Sequence, residues 1–232
     1  GGGATLDYTE GSYTTRLIGA GLIGPGGPYE GVYTAITNES LEAESLYLAA
    51  TLGGAYKVTD KVSVAVGIRY IDARNTIDGK LTMSGGVAGE ATPDVPLRVD
   101  VDQDANGWGG ILGVQVAPTD KLNLTMRYET TVKLDFEDDV NTDDIGLYLD
   151  GEKNRRDFPA MIGLGASYQL DPKLRCEVDF NWFFQKSADW GENDDGSDNS
   201  NDAGDVWSIG AAAAYQATTE LEVSAGFLYT KH

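Results

Sequence analysis

Leu174-Arg-Cys-Glu-Val-Asp-Phe-Asn-Trp182 sets Leu174, Cys176, Val178, Phe180 and Trp182 against Arg175, Glu177, Asp179 and Asn181, an unbroken alternation of period two. Side chains leave a strand alternately to its two faces, so this segment has one apolar and one polar face. A helix would scatter the same residues around its circumference. The pattern recurs elsewhere. Val62, Val64, Val66, Ile68 and Tyr70 alternate with Ser63, Ala65, Gly67 and Arg69, and Leu221, Val223, Ala225, Phe227 and Tyr229 alternate with Glu222, Ser224 and Gly226. A longer run alternates Leu122, Leu124, Met126, Tyr128, Thr130, Val132, Leu134 and Phe136 with Asn123, Thr125, Arg127, Glu129, Thr131, Lys133 and Asp135. Read as one strand, 122–136 has about 15 residues, against roughly five or six for a strand in a globular sheet.

Each of these strands follows an incoming partner: Leu46–Tyr56, Trp108–Val116, Ile162–Tyr168 and Trp207–Tyr215. The turns run from Tyr56 to Val62, Val116 to Leu122, Tyr168 to Leu174 and Tyr215 to Leu221. Each spans six positions, an even offset that keeps the apolar residues of both strands on one face. Asp, Thr and Pro supply the turn chemistry. The opposite connections are long: about 30 residues from Ile77 to Trp108, some 20 from Phe136 to Phe158, and a similar stretch from Lys186 to Asp205. They are rich in Gly, Asp, Asn and Ser. Short turns at one end and long polar loops at the other match transmembrane barrels.

A soluble β-sandwich or lipocalin-like barrel also alternates. Strand length argues against it, and so does the placing of aromatics. Tyr56, Tyr168 and Tyr215 sit beside the turns, while Tyr70, Trp108, Phe136, Trp182 and Trp207 sit nearer the loops. Two aromatic belts are expected at two membrane–water interfaces. No apolar run reaches the roughly 18–20 residues of a membrane-spanning helix, but a barrel strand needs only about 9–11. The expected fold is all-β, a transmembrane antiparallel up-and-down β-barrel with eight strands visible, nine if Tyr13–Gly19 is counted.

Composition narrows the function further. Thirty-seven acidic residues against 17 basic give a net charge of −20, which excludes nucleic acid as a partner because phosphates need cations. Cys176 is the single cysteine and stands among the alternating apolar residues of its strand, as a small lipid-facing or core residue. His232 is the single histidine, at the last position. A histidine-based triad or zinc site would need it to reach back from the terminus. Neither enzymatic chemistry nor a cofactor is expected. The chain opens Gly1-Gly2-Gly3 without a basic-then-apolar leader, as a mature or truncated product would.

The segments Leu52–Tyr70, Gly107–Val114, Met126–Phe136 and Phe158–Tyr168, in this order and spacing, resemble roughly the third to tenth strands of the FadL/TodX family of outer-membrane transport proteins. The resemblance covers about residues 42–230. It implies a 14-stranded monomeric barrel in the bacterial outer membrane with an N-terminal hatch in its lumen. It also implies passive uptake of long-chain fatty acids or aromatic hydrocarbons through a lateral opening. The hatch and the last strands have no counterpart in residues 1–232, so the chain is expected to be a fragment of one barrel domain. Rival readings are a barrel that scaffolds an envelope complex, and a general porin. Membrane lipid, lipopolysaccharide and a hydrophobic ligand are the expected partners, with other envelope proteins under the scaffold reading.

Candidate sites come with plainer accounts. Among the charges expected on the inward face, Arg127 and Lys133 are the candidates for an anionic headgroup, because a carboxylate needs a positive partner; a polar lumen explains them equally. Leu147, Tyr148 and Leu149 interrupt one acidic loop, and Val95, Pro96, Leu97, Val99 and Val101 another. They would form an external catch for an apolar ligand, or cap the barrel. Gly53 and Gly54 mark a candidate strand kink, which the family resemblance would make a lateral gate; close strand packing is the alternative. Asp194, Asp195, Asp198 and Asp202 are a candidate calcium cluster without EF-hand spacing, for which a solvated acidic loop is the simpler account.

Overall fold

The structure is a computed structural model that describes residues 2–8, 13–86, 92–191 and 204–231. In chain order its elements are β1 (Gly2–Tyr8), α1 (Tyr13–Ile23), β2 (Ala35–Lys57), β3 (Val62–Ser84), β4 (Val95–Thr119) and β5 (Leu122–Glu129). Then come β6 (Asp135–Asp143), β7 (Lys153–Arg155), β8 (Met161–Asp171), β9 (Leu174–Phe183), β10 (Val206–Gln216) and β11 (Glu222–Lys231). The strands form one sheet in the order β1-β2-β3-β4-β5-β8-β9-β10-β11, with β6 paired to β4 and β7 to β6. The pairings β1–β2, β4–β5, β4–β6, β5–β8, β8–β9, β9–β10 and β10–β11 are antiparallel. No described helix is long and apolar enough to cross a membrane.

The four short turns share one device. Thr59 Oγ1 accepts from the backbone N–H of Lys61 at 3.2 Å and Val62 at 3.0 Å. Thr119 does the same for Lys121 and Leu122, Asp171 Oδ1 for Lys173 and Leu174, and Thr218 for Glu220 and Leu221. A short oxygen-bearing side chain three or four residues before the next strand thus satisfies the N–H groups that the reversing chain would leave open.

The described residues group into two compact units. One comprises Ala49–Ile71, Asn106–Asp135 and Arg155–His232. Within it, directly paired residues build apolar rows across strands: Val114, Met126, Leu164, Phe180, Ile209 and Tyr229 lie in one row. Leu112, Tyr128, Ile162, Trp182 and Trp207 lie in another. These faces stay exposed: Leu164 is 46% and Val178 53% accessible. The opposite face is small and polar, with Gln115, Thr125, Gly165, Asp179 and Gly210 in one row. Asp179 lies over Gly210 and Thr125 over Gly165, where a Cβ would collide with them.

The second unit comprises Gly1–Leu48, Asp72–Ala105 and Phe136–Asn154. Here the alternation continues in opposite phase. On β3 the exposed apolar residues Val64, Val66 and Ile68 give way to Asp72, Arg74, Asp78 and Lys80 at the same parity. The other parity becomes the core, with Ile71, Ala73, Leu81 and Met83 buried. On β4, Leu97, Val99 and Val101 are buried where Arg98, Asp100 and Asp102 face out, while further along Trp108, Leu112 and Val114 are the exposed set. β2 passes likewise from Glu42 and Glu44 to Leu46 and Leu48. Apolar residues outside and polar ones inside suit a wall in lipid, and the reverse suits a wall in water. Tyr70 and Trp108 stand at the switch, their rings 4.9 Å apart.

A hydrogen-bonded file crosses this second unit. Ser45 Oγ donates to Asn75 Oδ1 at 2.7 Å, Asn75 Nδ2 to Gln103 Oε1 at 3.4 Å, and Gln103 Nε2 to Asp138 Oδ1 at 2.8 Å. Asp138 is buried, and its Oδ2 has no hydrogen-bond partner among the described residues.

Several expectations need correction. The run 122–136 is not one strand: β5 stops at Glu129 and the chain leaves the ladder until β6 begins at Asp135, with a lone bridge between Val132 and Phe158. The break shifts the faces by one residue, so Val132, Leu134 and Phe136 are buried instead of continuing the exposed row. Tyr13–Gly19 lies in helix α1, not a ninth strand. Much of the long connections 77–108 and 136–158 is strand, since β3 and β4 run 23 and 25 residues and β6 and β7 occupy the second.

Candidate functional site

Helix α1 carries Thr14, Thr15, Ile18 and Leu22 at spacings of one, three and four, which groups them on one side. Ile18 and Leu22 pack on the core formed by Tyr33, Leu81, Met83 and Leu97. Gly19 lets the helix approach β2 closely, since a Cβ there would meet Ile36 Cγ1 at 2.7 Å. Outside the core, Arg16 Nε pairs with Glu39 at 2.6 Å.

Beside this core lies a cavity of about 210 Å³. Ile18 of α1, Leu41 and Ala43 of β2, Ile77 and Gly79 of β3, and Val99 of β4 line it. Ile145, Leu147 and Tyr148, in the connection after β6, complete the lining. Lys80 is the one charged lining residue, and its head is free to stay in water while its stem covers apolar surface. Such a cavity takes an apolar body, with the side chains of Thr14, Thr15, Lys80 and Tyr148 as its few polar groups. Among the described residues no cluster of metal-binding side chains occurs.

The 145–148 wall owes its shape to Asp143. Its carboxylate accepts from the backbone N–H of Ile145 at 3.0 Å, Gly146 at 2.8 Å and Tyr148 at 2.7 Å. Partial burial pushes this carboxyl up, but the N–H groups of Tyr148, Gly146, Ile145 and Leu147 together outweigh it and hold the group below its ordinary value. Gly146 takes φ of +79°, a backbone that only glycine adopts without cost.

In the wall unit the charges pair with one another. Glu129, buried, receives Arg69 on one oxygen and Arg127 Nε on the other, at 3.1 Å. Arg127 is therefore engaged by Glu129, while Lys133 is exposed and makes no ion pair among the described residues. The two do not meet at one site. Leu147 lines the cavity, whereas Leu149 is 69% exposed and does not. Strand β2 continues through Gly53 and Gly54. A Cβ on Gly53 would meet the Val66 carbonyl oxygen at 3.0 Å, which is close strand packing. Asp194, Asp195, Asp198 and Asp202 lie outside the described residues.

Of the lining residues, the sequence singles out Leu97, Val99, Leu147 and Tyr148 as apolar interruptions of acidic loops, but not Thr14, Thr15, Ile18, Leu41, Ala43 or Ile77. The signals were present: a three-and-four spacing in 14–22, and a period-two pattern that continues past Tyr70 with its parity exchanged.

Comparison with known proteins agrees with this architecture. The family model described as "Outer membrane protein beta-barrel domain" matches residues 3–152. Among solved structures, a FadL homologue of Pseudomonas aeruginosa is similar at 18% identity and TM-score 0.56, over 83% of this chain and 50% of that one. The Pseudomonas putida toluene transporter TodX is similar at 18% identity and TM-score 0.55, over 84% of this chain and 57% of its own. A second TodX structure is covered to 62% by 99% of this chain, at 17% identity and TM-score 0.55. At such identities the likeness is one of fold, and the chain spans between half and two thirds of these barrels. No curated protein sequence matches it.

Proposed function

This chain belongs to the outer membrane protein β-barrel domain family and so to the bacterial outer membrane, and from that premise we propose that it is part of a channel for passive uptake of hydrophobic small molecules. The observation that carries the reading is the apolar cavity of about 210 Å³ within the unit whose exterior strand faces are charged. An apolar solute gains roughly 25 cal/mol for each Å² it withdraws from water. Capture there needs no energy source and no covalent step. The fold shared with a toluene transporter and a FadL homologue supports the same reading. Long-chain fatty acids and aromatic hydrocarbons are the proposed cargo classes. The ion-paired polar face of the wall unit is the proposed lumen side, and Arg127 and Lys133 are its proposed contacts for an acidic headgroup.

The test is uptake by proteoliposomes carrying the full-length protein. A radiolabelled aromatic hydrocarbon or fatty acid should enter faster than in empty vesicles, and Ala43→Trp, which fills the cavity, should lower the rate several-fold. Uptake equal to that of empty vesicles, or large ion conductance typical of an open porin, would reject the proposal.

A further inference from the structure

We infer that Asp143 determines which ligands the apolar cavity admits, by holding residues 145–148 in place as one of its walls. The inference rests on the reading that this cavity receives a hydrophobic ligand.

The remaining walls are secured in regular structure. Leu41 and Ala43, Ile77 and Gly79, and Leu97 and Val99 lie on three adjacent strands, and Ile18 lies on a helix packed across the core. Residues 145–148 belong to no strand or helix. Their base is tied to β4, where Arg98 N–H donates to Asp144 Oδ2 at 2.8 Å and Asp144 N–H to the Arg98 carbonyl at 2.9 Å. Beyond Asp144, the three N–H bonds into the Asp143 carboxylate bend the chain so that Ile145, Leu147 and Tyr148 all reach the cavity. One carboxylate thus supplies the order that a ladder supplies elsewhere.

Size then follows from position. An apolar cavity of roughly 150 Å³ is enough for one benzene molecule. At about 210 Å³ the cavity takes one compact, uncharged, single-ring or short-chain solute. The cavity is partly open to solvent, so an extended alkyl chain buries only its leading carbons there until the 145–148 wall gives way. Asp143 touches no ligand in this scheme and acts as a positioning residue.

The experiment measures dissociation constants of the full-length protein in one detergent for benzyl alcohol and the linear alcohols from hexanol to dodecanol. Each value is referenced to Ala43→Trp, which removes micelle uptake from the signal. The native protein should bind benzyl alcohol and hexanol and gain little affinity as the chain lengthens further. Asp143→Ala should move that cut-off to longer chains, raising dodecanol affinity relative to hexanol by tenfold or more. Asp143→Asn, which keeps one acceptor oxygen, should fall between them. Leu147→Ala, which trims the wall and leaves the carboxylate, should shift the profile in the same direction even if Asp143→Ala fails to fold. Equal weakening of every ligand, or an unchanged length profile in all three variants, would overturn the inference while leaving uptake intact. If the native protein and Ala43→Trp bind the panel identically, the cavity is not a ligand site and both readings fall.

Discussion

Two aspartates in the charged-exterior unit show how much a carboxyl's surroundings decide. Asp143 has its oxygens filled by backbone N–H groups, whereas the buried Asp138 has one oxygen bonded to Gln103 and one without a partner among the described residues. Gln103→Leu would remove that one bond and strand the whole carboxyl among Phe136 and Val101. The expected cost is about 1–3 kcal/mol, read from the unfolding midpoint in detergent. Asp143 gives a pH prediction with a definite sign. Its folded value is depressed, so its contribution is complete above the ordinary carboxylate range and disappears as pH falls through the lowered folded value. Exchange of the Tyr148 amide, corrected for intrinsic rate, should be protected at neutral pH and lose protection only in distinctly acid solution. Protection lost near neutrality would contradict the bonding described.

The segment between β5 and β6 is the element that sequence reading mistook. Thr130, Val132, Leu134 and Phe136 continue the parity of Leu122 to Tyr128, and nothing in their spacing announces a break. Its cause is tertiary: the segment crosses β4 where Gly107 and Gly109 leave room, and a Cβ on Gly107 would strike the Lys133 carbonyl oxygen and Val132. Gly107→Ala should therefore destabilise by about 1–3 kcal/mol, as overpacking against backbone does. Gly54→Ala, with nothing within 4 Å of its Cβ, should be nearly neutral; unfolding of both variants checks the contrast. The four hairpins, by contrast, were legible in place and in turn chemistry, with strand ends within one to three residues, because turn chemistry and an even offset are local properties. The cavity was legible only in part. Leu147 and Val99 stood out from acidic surroundings, but helix α1 is short and its register with β2 is set by contacts distant in sequence, such as Gly19 against Ile36.

For the molecule as a whole, the proposed surroundings of the exposed apolar rows are lipid, a reading that the outer-membrane barrel family of residues 3–152 supports. A charge at mid-band should then be costly on one face and mild on the other. Leu164→Arg, in the row with Met126 and Phe180, should destabilise by about 2–4 kcal/mol in lipid bilayers. Gln115→Arg, exposed on the polar face in the row with Thr125 and Asp179, should cost far less; equal penalties would mean that the rows do not meet lipid. The exchange of parity at Tyr70 and Trp108 has a further consequence for how such a chain can change in length. Adding or deleting a single residue within 62–70 would turn every side chain beyond it to the wrong side, whereas a pair of residues would only raise or lower the waterline by one rung. Viable relatives should therefore differ in this stretch by even increments, a counting rule that ordinary surface loops do not obey.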